Sequence, residues 1–136
     1  MNMASVVAVC ISEEKGTQKH PVAEIQLRCR HGIVGDAHAG DWHRQVSLLG
    51  TESVDKVRRL LPELRPGAFA ENILTEGLCL YALPVGTVLR IGTAELEVTQ
   101  IGKECHHGCA IRQLTGDCVM PREGIFAIVR QEGVIH

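Results

Sequence analysis

Aromatic side chains are scarce in this chain: Trp42, Phe69, Tyr81 and Phe126 are the only four among 136 residues. The core therefore has to come from Val, Leu, Ile and Ala, within an apolar share of 45%. No run of about 18 apolar residues is present, so no membrane-spanning helix is expected. The first five residues, Met1-Asn2-Met3-Ala4-Ser5, lack a basic n-region, and the apolar stretch 6–11 is too short for a signal peptide. An excess of positive charge is also missing. The net charge of -2 argues against broad electrostatic attraction to nucleic acid or to a membrane surface. Lysine is the scarcer cation, with four against ten arginines. Arginine is the better bidentate partner for phosphate and carboxylate, so a local anion site stays open.

What is present is sulfur. Six cysteines in a chain without a secretion signal point to the cytoplasm, where thiols stay reduced. Cys10, Cys29 and Cys79 read as small buried hydrophobes. Cys105 and Cys109 belong to a denser stretch, Lys103-Glu104-Cys105-His106-His107-Gly108-Cys109, with Cys118 nine residues after Cys109. Thiolate and imidazole suit zinc, iron–sulfur clusters, copper or thiol chemistry. The spacing is poor for a zinc ribbon, and three cysteines leave an iron–sulfur cluster one ligand short. As a nucleophile Cys105 is better placed: Lys103 and His106 would lower its thiolate pKa, with Glu104 opposing them.

Residues 136 in number suit one domain, 1–136, long enough to bury a core. The chain reads mostly as strands. Apolar runs or period-two alternation mark 5–12, 23–29, 45–49, 72–75, 87–91, 94–101 and 125–130. Residues 13–20 and 32–43 read as loops. One helix is predicted over about 51–61, capped by Thr51 or Ser53, with Val54, Val57, Leu60, Leu61 and Leu64 as its apolar stripe. Pro62 bends or stops it and Pro66-Gly67 ends the segment. Arg58 and Arg59 are most simply a solvated face near its C-terminal end. Short strands, frequent glycine and a single clear helix predict a mainly β protein: a compact, curved β-barrel with short helical inserts.

Two further segments carry chemistry. Gly35-Asp36-Ala37-His38-Ala39-Gly40-Asp41-Trp42-His43-Arg44-Gln45 places acids, imidazoles and a guanidinium around glycines that let a backbone approach an anion. Arg44 could grip phosphate. A mononuclear metal held by Asp36, His38 and His43, or a plain polar loop, are the alternatives. Gly67-Ala68-Phe69-Ala70-Glu71-Asn72-Ile73 is weaker: Glu71 reads as a surface charge and Asn72 as a group satisfying backbone ahead of a strand.

In order along the chain these segments resemble the MOSC domain family, named for the C-terminal domain of molybdenum cofactor sulfurases. The first signature is matched by 35–40 with 44–49, the central one by 67–75, and the paired strands leading to the family's cysteine by 85–92 and 96–99. The cysteine at that place is Cys105. The resemblance runs from about residue 6 to 134. It implies a barrel-like fold and a site for the molybdenum cofactor, a pterin dithiolene with a phosphate. Cys105 would be the molybdenum ligand or the persulfide carrier. Asn72 would sit by the metal or phosphate end, and Asp36, His38 and Arg44 would help form the pterin or phosphate pocket. Lys103 and His106, beside Cys105, join the cofactor-binding set.

The expected role is cofactor maturation, with sulfur carried or transferred through Cys105. The chain reads as the bare domain without a desulfurase domain, so pyridoxal phosphate would belong only to a partner. The partners implied are a cysteine desulfurase or other sulfur donor, and cofactor-biosynthesis proteins or molybdoenzymes as acceptors. Cys109 and Cys118 could resolve a persulfide or help hold a metal. Two other readings stay open: a molybdenum-dependent reductase of small N-hydroxylated substrates fed by an electron-transfer partner, and a non-catalytic zinc or iron–sulfur module using Cys105, Cys109, Cys118 and His106.

Overall fold

The protein's computed structural model describes residues 4–15, 17–102 and 123–136. The elements run β1 (Ser5–Ile11), β2 (His20–Val22), β3 (Ile25–Arg28), β4 (Gly32–Ile33), β5 (Val46–Gly50), α1 (Thr51–Arg58), β6 (Ile73–Glu76), β7 (Val88–Ile91), β8 (Ala94–Ile101), β9 (Ile125–Gln131) and β10 (Gly133–Ile135). A 3-10 turn, Leu80–Ala82, follows β6.

Seven strands form one mixed sheet in the order β2-β1-β6-β5-β9-β8-β7, and three form a second, β10-β3-β4. Among the described residues only β5 and β6 pair in parallel. Their connection carries α1, as a parallel pair requires a crossover. Among the described residues the larger sheet does not close into a barrel; β2 and β7 remain its edges. The strand prediction held for the longer runs, and β8 has the predicted bounds. The segments β2 and β4 lie where loops were expected, and β10 follows an expected turn. Each has only two or three residues, too few to show a period.

The main core lies on one face of the large sheet. Val9, Val46, Leu48, Ile73, Leu96, Val98, Ile125 and Ala127 pack there with Ile25, Leu27 and Ile33 of the small sheet. A smaller cluster on the other face joins Leu49 and Leu74 to Val54 and Val57 of α1 and to Phe69. The helix is shorter than predicted and ends at Arg58. Leu60 is 65% exposed and leaves the stripe, whereas Leu61 and Leu64 still pack against the small cluster. Neither Thr51 nor Ser53 caps it: Gly50 is the N-cap and makes no side-chain bond. The Ser53 hydroxyl instead donates to Glu123 Oε1 at 2.6 Å. Cys10 is buried as expected, but Cys29 and Cys79 are exposed.

Candidate functional site

Ser47 of β5 and Phe126 of β9 are register partners, so their side chains share a face, opposite the main core. Around them a band of polar groups crosses the sheet. It is built from the C-terminal end of β1, the start of β6, the start of β5, β9, and the loop 36–44.

The central segment fixes one end. Gly67 has a φ of +92°, and a Cβ there would lie 2.1 Å from the Lys19 carbonyl oxygen. Only glycine lets the two backbones meet, and the Lys19 amide donates to the Gly67 carbonyl at 2.9 Å. Glu71 is no surface charge. It is buried, and its carboxylate accepts the Gly67 and Phe69 amides at 2.8 and 3.0 Å. Burial pushes its pKa up despite those donors. The Asn72 side chain holds strands together. Its Oδ1 accepts from the Ser47 amide and hydroxyl, and its Nδ2 donates to the Cys10 carbonyl, all within 3.0–3.1 Å. Beside it, burial pushes the Cys10 thiol up to about 12, so it is held as the inert thiol.

Asp36 and Lys19 form an ion pair at 2.7 Å with both side chains wholly buried. Asp36 Oδ1 also accepts the Ser12 amide and Oδ2 the His38 amide, each at 3.1 Å. The Lys19 ammonium reaches Ser12 Oγ at 3.1 Å and His38 Nδ1 at 3.0 Å. An ammonium only donates, so Nδ1 must present its lone pair, and His38 carries its proton on Nε2 while Lys19 is charged. Lys19 was not singled out from the sequence. Its neighbours Gln18 and His20 are polar, and nothing in the local pattern marks a lysine destined for complete burial.

Trp42 links this cluster to Arg44. The indole Nε1–H donates to the His38 carbonyl at 2.8 Å. The Arg44 guanidinium carbon lies 4.9 Å from the Trp42 ring centroid and 5.5 Å from that of Phe126. Lys15 Nζ lies 5.6 Å from the same indole centroid. Arg44 Nε is buried and has no hydrogen-bond partner among the described residues. A half-buried guanidinium resting on two rings has the chemistry to take an anion through its remaining N–H groups. His43 turns elsewhere: its Nε2 meets Gln100 Oε1 at 3.0 Å, and its carbonyl accepts the Thr99 hydroxyl. Thr99 sits where the β8–β9 register shifts, a bulge of the kind that re-aims side chains beside functional sites.

The structure thus brings Asp36, His38 and Arg44 into one continuous band with Lys19 and Trp42, and seats Asn72 beneath it as a strand tie. It does not gather Asp36, His38 and His43 as metal ligands. Among the described residues no group of three or more His, Cys, Asp or Glu could hold a metal ion. Lys103, Cys105 and His106, with His107, Cys109 and Cys118, lie outside the described residues. The flanks of that segment are tied: the Gly102 amide donates to the Gly124 carbonyl at 2.7 Å, and Ile101 pairs with Ile125. No helix among the described residues is long and apolar enough to cross a membrane.

The family model described as MOSC domain matches residues 35–136. No curated protein sequence matches the chain. Among solved structures, the YuaD protein of Bacillus subtilis superposes with a TM-score of 0.80 at 17% identity, covering 100% of this chain and 93% of that one. YiiM from Geobacillus stearothermophilus follows at 0.73 and 22% identity, covering 98% and 71%. YiiM from Escherichia coli gives 0.64 and 20%, covering 98% and 65%. At these identities the likeness is one of fold.

Proposed function

Because the chain belongs to the MOSC domain family, a family associated with the molybdenum cofactor, we propose that it binds that cofactor and carries sulfur on Cys105 for cofactor maturation. The observation that carries the binding half of this reading is the Arg44 site. The cofactor's pterin bears a phosphate, and Arg44 offers a half-buried guanidinium resting on Trp42 and Phe126. The residues therefore fit the group. Arg44 would hold the phosphate, Trp42 and Phe126 fix the guanidinium plane, and Lys15 adds positive charge. His38 has the Lys19 ammonium against its Nδ1, so the buried ion pair sets its tautomer. When bound, the cofactor would supply a thiophilic metal centre.

The thiol half rests on position and chemistry. Cys105 follows Gly102, at the end of β8, by three residues, and β8 flanks Phe126 and the Arg44 site. Cys10 is wholly buried, and burial raises its thiol pKa, so it is poorly suited to be the working thiol. In the loading step the Cys105 thiolate attacks the outer sulfur of a donor persulfide. The donor's S–S bond breaks, its thiolate leaves, and Cys105 becomes the persulfide. A cysteine desulfurase is the donor class this step calls for, and a molybdoenzyme's cofactor is the acceptor.

The test is loading of the purified chain by a cysteine desulfurase and free cysteine, read by mass spectrometry. One added sulfur atom on the peptide holding Cys105, absent from Cys105→Ser, is expected. Sulfur appearing on Cys29 or Cys79 instead, or on no cysteine, would overturn the carrier role.

A further inference from the structure

Neighbouring residues of a regular strand point to opposite faces. Thr99 and Gln100 of β8 are neighbours, yet both side chains reach His43. The register shift against β9 between Val98 and Gln100 is the cause, because it leaves one extra residue in β8. The Thr99 hydroxyl donates to the His43 carbonyl and lies 3.2 Å from the Phe126 carbonyl. One group therefore touches both the peptide that leads into Arg44 and the backbone of Phe126, whose ring lies 5.5 Å from the Arg44 guanidinium carbon. Gln100 adds a second hold. Its Nε2 donates to the Gly102 carbonyl at 2.8 Å, and a carbonyl only accepts, so the amide can lie only one way. Oε1 is thereby turned to His43, whose Nε2 supplies the proton at 3.0 Å. Arg44 Nε makes no hydrogen bond among the described residues, which leaves the two rings and the backbone to place the guanidinium.

We propose that Thr99 and Gln100 are positioning residues: together they clamp His43, by its backbone and by its ring, and so aim the Arg44 guanidinium over Phe126. The bulge in β8 exists to make this clamp, since a regular strand would bring only one of the two side chains to His43. The consequence for binding, which rests on the reading of Arg44 as the anion-binding end, is that anion affinity depends on two side chains acting through His43. A misplaced guanidinium loses the geometry that makes its charge-assisted hydrogen bonds strong.

Two readouts on the full chain test the clamp. The first is the NMR shift of the Arg44 side-chain protons, which the Trp42 and Phe126 rings move upfield. The second is titration with inorganic phosphate. The variants are Thr99→Val, which keeps the shape and removes the hydroxyl, Thr99→Ser, which keeps the hydroxyl, and Gln100→Met. Arg44→Met is the control for the anion site. All are measured well below their Tm, so that lost stability does not enter. Thr99→Val and Gln100→Met are each expected to lose much of the ring-current shift and to weaken phosphate about tenfold, the worth of one hydrogen bond to a charged group. Thr99→Ser should restore both. Ring-current shifts unchanged in Thr99→Val and Gln100→Met, or a loss that Thr99→Ser does not restore, would overturn the clamp. Shifts lost with phosphate affinity intact would overturn its consequence for binding. Wild type without saturable phosphate binding, or Arg44→Met binding phosphate as wild type does, would overturn the anion reading instead, and the ring-current shifts would still decide the clamp.

Discussion

The two ends of the polar band are built on opposite plans. At the Lys19 end the buried charges answer one another: Asp36 takes the Lys19 ammonium and two backbone amides, and Lys19 takes Ser12 and His38 as well. At the Arg44 end a cation rests on Trp42 and Phe126, and its buried Nε is left without a partner among the described residues. Buried polar groups are normally satisfied, because leaving them unmet costs more than a made bond returns. The first end is therefore scaffold that sets His38, and the second is the end that the proposed function assigns to the cofactor's anion. Stability and ligand binding should separate along this line.

Asp36→Ala is the strongest way to break the comparison. It leaves the Lys19 ammonium buried without its counter-charge, and the loss should be about 3–5 kcal/mol in denaturant unfolding. Gly67→Ala comes next. The new Cβ would strike the Lys19 carbonyl in a left-handed backbone, so a loss on the order of 3 kcal/mol is expected from the same measurement. Arg44→Met sharpens the comparison from the other side. Methionine keeps the apolar contact with both rings and removes the unmet donor, so unfolding should shift by no more than about 0.5 kcal/mol. The last test is chemical. Burial raises the folded Cys10 pKa from 9.0 to about 12, so the unfolded chain gives up this proton first as pH rises. The group's stabilisation is whole below pH 9 and is lost as pH climbs towards about 12. Iodoacetamide at pH 8 should therefore label Cys29 and Cys79 in the folded protein and spare Cys10 until denaturant is added.

The strands that frame the site were readable because they are long enough to show a period: β8 alternates buried and half-buried over most of its eight residues. Asp36, His38 and Arg44 were readable because acids, imidazoles and guanidinium cluster between glycines. The partnerships were not. Lys19 lies 17 residues from Asp36 and sits in a stretch that reads as loop, and no local pattern announces a long-range buried pair. Glu71 looked like surface because its donors are backbone amides of its own turn, which composition does not display. The helix was overextended because Leu60 has the right spacing but no surface to pack against, and the helix had already ended at Arg58.

The most direct test of the central claim is the molybdenum and pterin content of the protein purified from a molybdenum-replete host, measured for wild type and Arg44→Met. Wild type should carry both in equal amounts, and Arg44→Met, folded and equally stable, should lose most of both. Wild-type protein without molybdenum or pterin, or Arg44→Met retaining them in full, would contradict the assignment of the Arg44 end as the cofactor's anion receptor.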